Sequence, residues 1–321
     1  MSAPAAVPPL SGASPARVTL AELVALAPAA GGIALDALRA RASHHGGWLS
    51  PLRGRGMDYD ETRRYHPGDD PRVMDWRVTA RTGQPHTKLF HEERERPVLL
   101  CADLRAPMFF ATRGAFKAVV VARAAATLAW AATLQGDRVG GLVTGDDGYR
   151  ELRPARGRPA VMRWLDALVD SPGWQRAAAN GEAAPSMSDV VARVQRVARP
   201  GARVFLLGDF HDLSSDALPP LRQLARHGEL FLVFVHDRLE RELPPPGRYW
   251  VRGPGGEWLL DTTGRGLHAA HAARFDARRD ALYDLARRSG AHVLECSTED
   301  DPVAMLQRRF ARRRGPGGRG G

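Results

Sequence analysis

Two acidic residues stand where this sequence could do chemistry, each directly after a short apolar run. Asp103 follows the run 97–102, and Asp209 follows the run 204–208. Continuous apolar runs of this length predict strands that are buried on both faces of a parallel sheet. Because open α/β sheets place their ligand sites at the carboxyl ends of the strands, the two carboxylates predict a site at one edge of such a sheet.

Other residue patterns support chemistry less well. The segment 209–212 contains two carboxylates and a histidine, which favours hydrolysis, but no activated nucleophile accompanies it. The sequence has no phosphate-binding loop with lysine and no Gly-x-Ser-x-Gly motif. His268 and His271 lie three residues apart on a predicted helix, without a third metal ligand.

Repeated strand–helix units predict the elements that position these residues. Strands are expected at 97–103, 138–144, 149–153, 203–208, 229–235 and 291–296. Helices are expected at 113–135, 157–169, 187–199, 214–227, 266–289 and 301–314. This order predicts an α/β fold with a doubly wound, mostly parallel sheet. The turn 145–148 predicts a hairpin and hence one antiparallel edge strand, and a second small hairpin is expected over 248–261.

The segment 56–95, which precedes the predicted sheet, is polar and densely charged. Asp70 and Pro71 predict the beginning of a short helix that carries Trp76 on one face. Opposite charges beside aromatic rings predict a packed network of ion pairs. We expect this charged extension to fasten onto the sheet domain. The alternative interpretation is a docking surface or a catalytic patch.

The composition favours a globular cytoplasmic protein. The chain has 46 basic and 36 acidic residues and a net charge of +10, and part of the excess lies in an arginine-rich, glycine-rich tail. The sequence contains no basic patch interleaved with aromatic residues, so nucleic-acid binding is not expected. Cys101 and Cys296 fall in predicted strands, which indicates reduced thiols. The apolar stretch 118–134 contains Arg123 and predicts a buried helix, so no membrane span is expected.

The charged segment resembles the signature of the family called domain of unknown function 58, or DUF58. The resemblance extends from there to Asp103 and covers most of residues 20–310. The signature residues are Arg64, Tyr65, Pro67, Gly68, Asp69, Asp70, Arg72, Asp75, Trp76 and Arg81. The resemblance implies a von Willebrand factor type A-like, Rossmann-like domain and an association with MoxR-type AAA+ ATPases. It implies no established enzymatic activity.

The resemblance also implies where a metal ion would lie. The type A fold often holds a divalent cation through an Asp-x-Ser-x-Ser pattern, a later hydroxyl and a late aspartate, all of them oxygen ligands. Asp103 matches the first aspartate and Asp209 the late one. Ser186 or Ser188 would supply the later hydroxyl.

Arg105 and Pro107 replace the two serines of that pattern, so we expect a degenerate site and no cofactor, with magnesium as the open alternative. One hypothesis is that the guanidinium of Arg105 pairs with Asp103 or Asp209 and substitutes for the ion. The other is that Arg105 points to solvent while Asp103 caps the following turn.

These observations predict four parts of the chain. Residues 1–17 are expected to be a disordered N-terminus, and 18–95 a helical and charged segment that packs on the sheet domain. Residues 96–310 are expected to form the von Willebrand factor type A-like domain, and 311–321 a basic, glycine-rich tail.

The expected function is that of a non-enzymatic protein-interaction module, an adaptor or partner of a MoxR-type AAA+ ATPase. It would bind through the loops at the carboxyl ends of the strands, with Asp103, Arg105, Asp209 and Asp212 as the interaction residues. The alternative function is that of a metal-dependent hydrolase that uses Asp103, Asp209 and Asp212.

Overall fold

A six-stranded sheet forms the centre of the larger of two units in the computed structural model, which describes residues 14–38, 57–66, 74–92, 96–175, 184–253 and 256–311. The strands are β1 (Met57–Arg64), β2 (His86–Glu92), β3 (Pro97–Asp103), β4 (Arg138–Gly145), β5 (Gly148–Ala155), β6 (Arg203–Gly208), β7 (Glu229–His236), β8 (Arg248–Gly253), β9 (Gly256–Asp261) and β10 (His292–Ser297). The α-helices are α1 (Leu20–Ala25), α2 (Ala27–Ala30), α3 (Trp76–Thr82), α4 (Lys117–Leu134), α5 (Gly157–Val169), α6 (Met187–Val197), α7 (Leu218–His227), α8 (Arg238–Arg241), α9 (Leu267–Ser289) and α10 (Pro302–Arg309). Short 3-10 turns occupy Leu35–Leu38, Ala106–Met108, Pro172–Gln175 and Ser215–Ala217.

The strand order of the central sheet is β10-β7-β6-β3-β4-β5. All neighbouring pairs are parallel except β4 and β5, which are antiparallel. This arrangement confirms the predicted doubly wound, mostly parallel sheet with one antiparallel edge strand. The β4–β5 turn contains Asp146 and Asp147, the residue type that favours tight hairpin turns.

Both faces of the sheet are covered, which explains why its central strands are apolar throughout. Leu100 and Phe205 pack into the layer that contains α4, whereas Cys101 and Leu206 pack into the layer that contains α6 and α7. Neighbouring residues of one strand thus face opposite helical layers. The two strands that end in the predicted site residues are therefore held rigidly from both sides.

Helix α4 is the central helix of one layer. Among the described residues it is the one helix that is long and apolar enough to cross a membrane, but 83% of it is buried inside the protein. Core helices of globular proteins pass the same test. The helix begins at Lys117, later than the predicted residue 113, because residues 104–116 form a loop at the end of the sheet.

The second unit consists of the described residues between 57 and 92. Strands β1 and β2 pair in an antiparallel hairpin with a register shift between Tyr59 and Glu61. Helix α3 begins at Trp76, because the carboxylate of Asp75 accepts hydrogen bonds from the backbone N–H groups of Arg77 and Val78. Asp70 and Pro71, where the helix was predicted to begin, lie outside the described residues; Met74, the described residue before Asp75, forms a β-bridge with Thr87.

The signature motif is only partly within the described residues. Trp76 is 68% exposed, and residues 67–73 of the predicted ion-pair network lie outside the described residues. Asp75 caps α3, and Gly83, with a φ of 71°, ends it. The other signature positions within the described residues are Arg64, Tyr65 and Arg81; those outside them are Pro67, Gly68, Asp69, Asp70 and Arg72.

A buried arginine ties the N-terminal segment to the amino ends of the strands. Arg203, the first residue of β6, donates to Glu229 Oε2 at 2.6 Å and to Asp36 Oδ1 at 2.9 Å. Arg96 Nη1 lies 3.8 Å from the same Asp36 oxygen. Residues 14–38 therefore belong to the same unit as the sheet, and the carbonyl of Pro15, within the segment expected to be disordered, accepts a hydrogen bond from the Phe116 N–H.

The small hairpin predicted over 248–261 is confirmed by β8 and β9. The connection from β7 to this hairpin runs through α8. The side chain of Thr262, which follows β9, fixes the base of the hairpin through the backbone of Pro245 and Gly247. The hairpin therefore extends from the segment that leaves the carboxyl end of β7.

Candidate functional site

Three carboxylates lie at the carboxyl ends of three adjacent strands. Asp103 is the last residue of β3, Asp209 follows β6, and Asp237 follows β7. Each is at most 2% exposed. Because these strands are parallel neighbours, their carboxyl ends meet at one edge, hereafter the carboxyl edge. A buried carboxylate requires a charged or hydrogen-bonding partner, and each of the three has one.

Arg105 is the partner of Asp103. Its Nε donates to Asp103 Oδ1 at 2.9 Å and its Nη2 donates to Asp103 Oδ2 at 2.7 Å, which is the bidentate geometry of a strong ion pair. The backbone N–H of Arg105 also donates to Oδ1 at 3.0 Å. Arg105 is 3% exposed, so it does not point to solvent.

The remaining guanidinium protons of Arg105 bind the neighbouring loop. Nη1 donates to Asp212 Oδ2 at 2.6 Å and to the Pro185 carbonyl at 2.7 Å, and Nη2 donates to Asp212 Oδ1 at 3.1 Å. All five N–H donors of the guanidinium are thus satisfied. Asp212 in turn accepts from the Met187 N–H at the first turn of α6. One side chain therefore joins β3, the loop after β6 and the segment before α6.

Lys117 is the partner of Asp209. Its Nζ donates to Asp209 Oδ2 at 2.7 Å and to Glu240 Oε1 at 2.6 Å. Lys117 and Asp209 are each 2% exposed. Glu240 also pairs with Arg278 of α9 at 3.1 Å. The ammonium group thereby connects the beginning of α4, the end of β6 and α8.

A strained residue turns the loop after β6. Phe210 has a φ of 51°, the one non-glycine residue with positive φ in the described part of the chain, and it is buried. This conformation places His211 so that its Nδ1 donates to Asp209 Oδ1 at 2.8 Å. The His211 side chain is 37% exposed, so the ring connects the buried carboxylate to the surface.

Neighbouring charges and hydrogen bonds shift the pKa values of the ionisable groups at the carboxyl edge. Burial alone would raise the pKa of Asp209, but the bonds from His211 and Lys117 hold that pKa well below its ordinary value. The hydrogen bond to Asp209 raises the pKa of His211. Burial alone would lower the pKa of Arg105, yet its bonds to Asp103 and Asp212 raise it. The charged forms of these groups therefore stabilise one another.

Asp237 holds three further segments together. Its two oxygens accept hydrogen bonds from the N–H and hydroxyl of Thr112, the N–H of Leu239 and the hydroxyl of Thr298. Burial alone would raise the pKa of Asp237, but these bonds, led by those from Thr112, lower it. Like the two ion pairs, Asp237 holds neighbouring loops in place, but its hydrogen-bond donors are neutral N–H and hydroxyl groups.

Glycine at position 208 leaves room for Asp103. A Cβ atom built there would lie 3.1 Å from Asp103 Cβ and 3.1 Å from Met187 Cε. These distances are tighter than ordinary van der Waals contacts, so a side chain at Gly208 would displace the carboxylate or the start of α6. The close approach of β3 and β6 at the carboxyl edge thus depends on this residue.

Comparison with known proteins identifies the family. A model of the family described as a protein of unknown function, DUF58, matches residues 61–281, which is more than half of the chain. This chain belongs to the DUF58 family. Uncharacterised proteins of Mycobacterium tuberculosis and Mycobacterium bovis are each 30% identical to it over 277 residues, covering 84% of this chain and 84% of each relative.

Solved structures resemble this DUF58 protein at low identity. A conserved hypothetical protein, BatB from Bacteroides thetaiotaomicron, has a TM-score of 0.44 at 12% identity, over 66% of this chain and 96% of that one. A von Willebrand factor type A protein from Catenulispora acidiphila has a TM-score of 0.36 at 14% identity, over 70% of this chain and 42% of that one. The doubly wound architecture follows from the strand order of the chain itself.

The residues at the carboxyl edge do not fit the magnesium ion that the resemblance implied. The guanidinium of Arg105 and the ammonium of Lys117 already bind the carboxylates that would be its ligands. The hydroxyl of Ser186 caps α6, and that of Ser188 bonds to Ser214 and Asp216. In the described part of the chain, no group of three or more His, Cys, Asp or Glu side chains is placed to hold a metal ion.

Other predicted site residues have separate surroundings. Pro107 is exposed in the 3-10 turn Ala106–Met108. The Nε2 atoms of His268 and His271 bond to the carbonyls of Thr262 and Leu239, respectively, so the pair does not share a ligand. Burial raises the pKa of both cysteine thiols, Cys101 and Cys296, to about 12, which agrees with the reduced thiols expected.

Sequence reasoning missed Lys117, Glu240 and Asp237. A signal existed for two of them. Lys117 is a charged residue at the start of a mostly apolar helix, and Asp237 is a third carboxylate after an apolar strand. Glu240 had no signal, because its role depends on how α8 folds back toward α4.

Proposed function

We propose that this DUF58 protein is a non-enzymatic protein-interaction module, and that its partner binds the loops at the carboxyl edge. The observation that carries the proposal is that two basic side chains of the chain itself bind the buried carboxylates at the carboxyl edge. Arg105 binds Asp103 of β3 and Asp212 of the loop after β6, and Lys117 binds Asp209 of that loop and Glu240 of α8. The loops are therefore braced before any partner arrives, and a braced surface loses less conformational entropy on binding.

The exposed side chains of these loops form the surface that a partner would contact. We call this set the rim; it consists of Pro107, Arg113, His211, Ser214 and Ser215. Of the four residues first expected to contact a partner, Asp103, Arg105 and Asp209 are buried, whereas the side chain of Asp212 is 26% exposed. In this proposal the buried three position the rim, and Asp212 lies at its inner border.

The resemblance to DUF58 proteins supports a more specific partner, a MoxR-type AAA+ ATPase, for which the chain would act as an adaptor or substrate. This interaction would take place in the cytoplasm. The hydrolase alternative has less support. Asp103 and Asp209 are each neutralised by a buried cation, and Asp212 is bound by Arg105, so none of the three is free to activate water or hold a metal ion.

A binding experiment tests the proposal. The full chain is immobilised and titrated with a purified MoxR-type ATPase from the same organism, in the presence of ATP. We expect the rim variants Arg113→Glu and His211→Glu to weaken binding by about tenfold or more. The control is Arg226→Glu, an exposed arginine in the last turn of α7, at the amino ends of the strands. Absence of binding, or equal binding by rim and control variants, would overturn the proposal.

Calorimetry tests the replacement of the ion. Titration of magnesium into the wild-type chain should release no binding heat. The variant Arg105→Ser restores the serine of the type A pattern and frees Asp103, although Lys117 still binds Asp209. Tight magnesium binding by the wild type would show that the two cations do not substitute for a metal.

A further inference from the structure

The hairpin β8–β9 carries an exposed apolar pair. Trp250 and Leu259 lie directly opposite each other across the two strands, and they are 75% and 46% exposed. Cross-strand partners at this spacing share one face of the hairpin. The opposite face carries Tyr249 and Leu260, which are partly buried. The two faces therefore differ: Trp250 and Leu259 share theirs with the charged residues Arg248 and Asp261, whereas the opposite face also carries Val251.

Both outer edges of this hairpin are open in the described residues. The hairpin is a sheet of two strands only, and its register runs from Arg248–Asp261 to Gly253–Gly256 without a shift. The edge strand β5 of the central sheet is different: it contains Pro154, a register shift and the exposed charges of Arg150 and Glu151. Proline, bulges and charge are the devices that block pairing at an edge. The paired strands β8 and β9 contain neither a proline nor a bulge, and their charged residues lie opposite one another in two cross-strand pairs, Arg248 with Asp261 and Arg252 with Glu257.

The charged residues around the hairpin indicate what kind of partner segment could bind there. Glu242 pairs with Arg238, and Asp261 pairs with Arg248. In the segments that flank the hairpin, Arg241 and Arg265 are exposed, and neither has an ion-pair partner in the described residues. An acidic segment would complement both.

A second copy of the chain fits this hairpin less well than a peptide segment does. Stable protein interfaces bury roughly 1,200–2,000 Å² in total. Two strands of six residues each cannot bury that area against their own copy. A single added strand needs less area, because main-chain hydrogen bonds supply much of its affinity.

We infer that β8–β9 is a strand-addition site for an extended partner segment in which apolar residues alternate with Asp or Glu. The apolar side chains of that segment would lie beside Trp250 and Leu259, and its acids would reach Arg241 or Arg265. This inference rests on the proposed function for the existence of a protein partner. The link between the two surfaces is α8, which supplies Glu240 to the ion pair of Lys117 and then leads to the hairpin.

A peptide display experiment tests the inference on the full chain. A library of random peptides, each about twelve residues long, is panned against the wild type, the double variant Trp250→Ser/Leu259→Ser and the matched control Leu134→Ser. Leu134 is an exposed leucine at the end of α4, 60% accessible and outside the hairpin. We expect enriched peptides to alternate apolar and acidic residues. Their dissociation constant should rise by about tenfold or more in the double variant and remain unchanged in the control.

Several outcomes would overturn the inference. These are the absence of enriched peptides, enrichment of basic peptides, and equal binding by the wild type and the double variant. A further one is retained affinity when alternate amides of the best peptide are N-methylated, because that change removes main-chain hydrogen bonds. Circular dichroism of the double variant checks that the sheet is intact. Failure of the rim variants in the ATPase experiment would leave these results unchanged, so the two proposals fail separately.

Discussion

The ion pair between Lys117 and Asp209 offers the sharpest test of how the carboxyl edge is held together. Lys117→Met keeps most of the side-chain length and removes the charge. Asp209 would then be left 2% exposed with only His211 as a partner, whereas Glu240 would keep Arg278. Breaking a buried pair by removing one partner costs about 3–5 kcal/mol. Because His211 still donates to Asp209, we expect a loss near the lower end, about 3 kcal/mol.

Urea unfolding of the single and double variants checks this value. Lys117→Met/Asp209→Asn removes both charges, so no buried carboxylate remains unpaired, and it should be more stable than Lys117→Met alone by at least about 1 kcal/mol. Asp209→Asn alone serves as the third corner of the cycle. If Lys117→Met costs less than about 1 kcal/mol, or if the two losses simply add, the ion pair does not brace the loops and the reasoning fails.

Three further predictions concern the same edge and the second unit. Because the bond to Asp209 raises the pKa of His211 above its ordinary value of 6.5, the protonated ring stabilises the fold below that pH, and this contribution is lost as the pH rises through the raised pKa. The difference in free energy of unfolding between wild type and His211→Gln should therefore be larger at about pH 5 than at about pH 9, and an equal difference would contradict it. Gly208→Ala should cost about 1–3 kcal/mol in urea unfolding, since the new methyl group meets Asp103; a neutral result would mean that the edge relaxes freely. Trp76→Ala should change the unfolding free energy by less than about 0.5 kcal/mol, because the ring is exposed, and a large loss would show a packing role.

The strands were the most predictable part of this fold. Strand β3 and strand β6 lie where their apolar runs predicted them, since a strand buried on both faces has little room for polar residues. The helix boundaries were less predictable. Helix α3 begins at Trp76 with Asp75 as its cap, and the sequence alone did not single out Asp75 among the neighbouring aspartates. At α1, Thr19 accepts a hydrogen bond from the Glu22 N–H as a helix cap, but the Glu22 carboxylate accepts from Arg123 and does not complete a capping box.

The candidate site shows what pattern reasoning can and cannot reach. The position of Asp103 and Asp209 at one edge follows from two runs and the rule for parallel sheets. The partner of each acid does not follow. Arg105 was expected to pair with Asp103 or Asp209, and it pairs with Asp103 and Asp212. Asp209 pairs instead with Lys117, fourteen residues beyond Asp103. Such choices depend on where a loop crosses the sheet and on the strained turn at Phe210, which no periodicity encodes.

The contact between Asp36 and Arg96 has a consequence for the insertions and deletions that this protein can tolerate. The first unit comprises the chain up to Arg41 and again from Arg96, and within it the side chains of Asp36 and Arg96 lie 3.8 Å apart. The second unit is therefore an insertion in the sequence of the first, and described residues of the first unit on either side of the insertion contact each other. Segments with adjoining ends of this kind can be lengthened, exchanged or excised with a short linker while the framework keeps its connectivity.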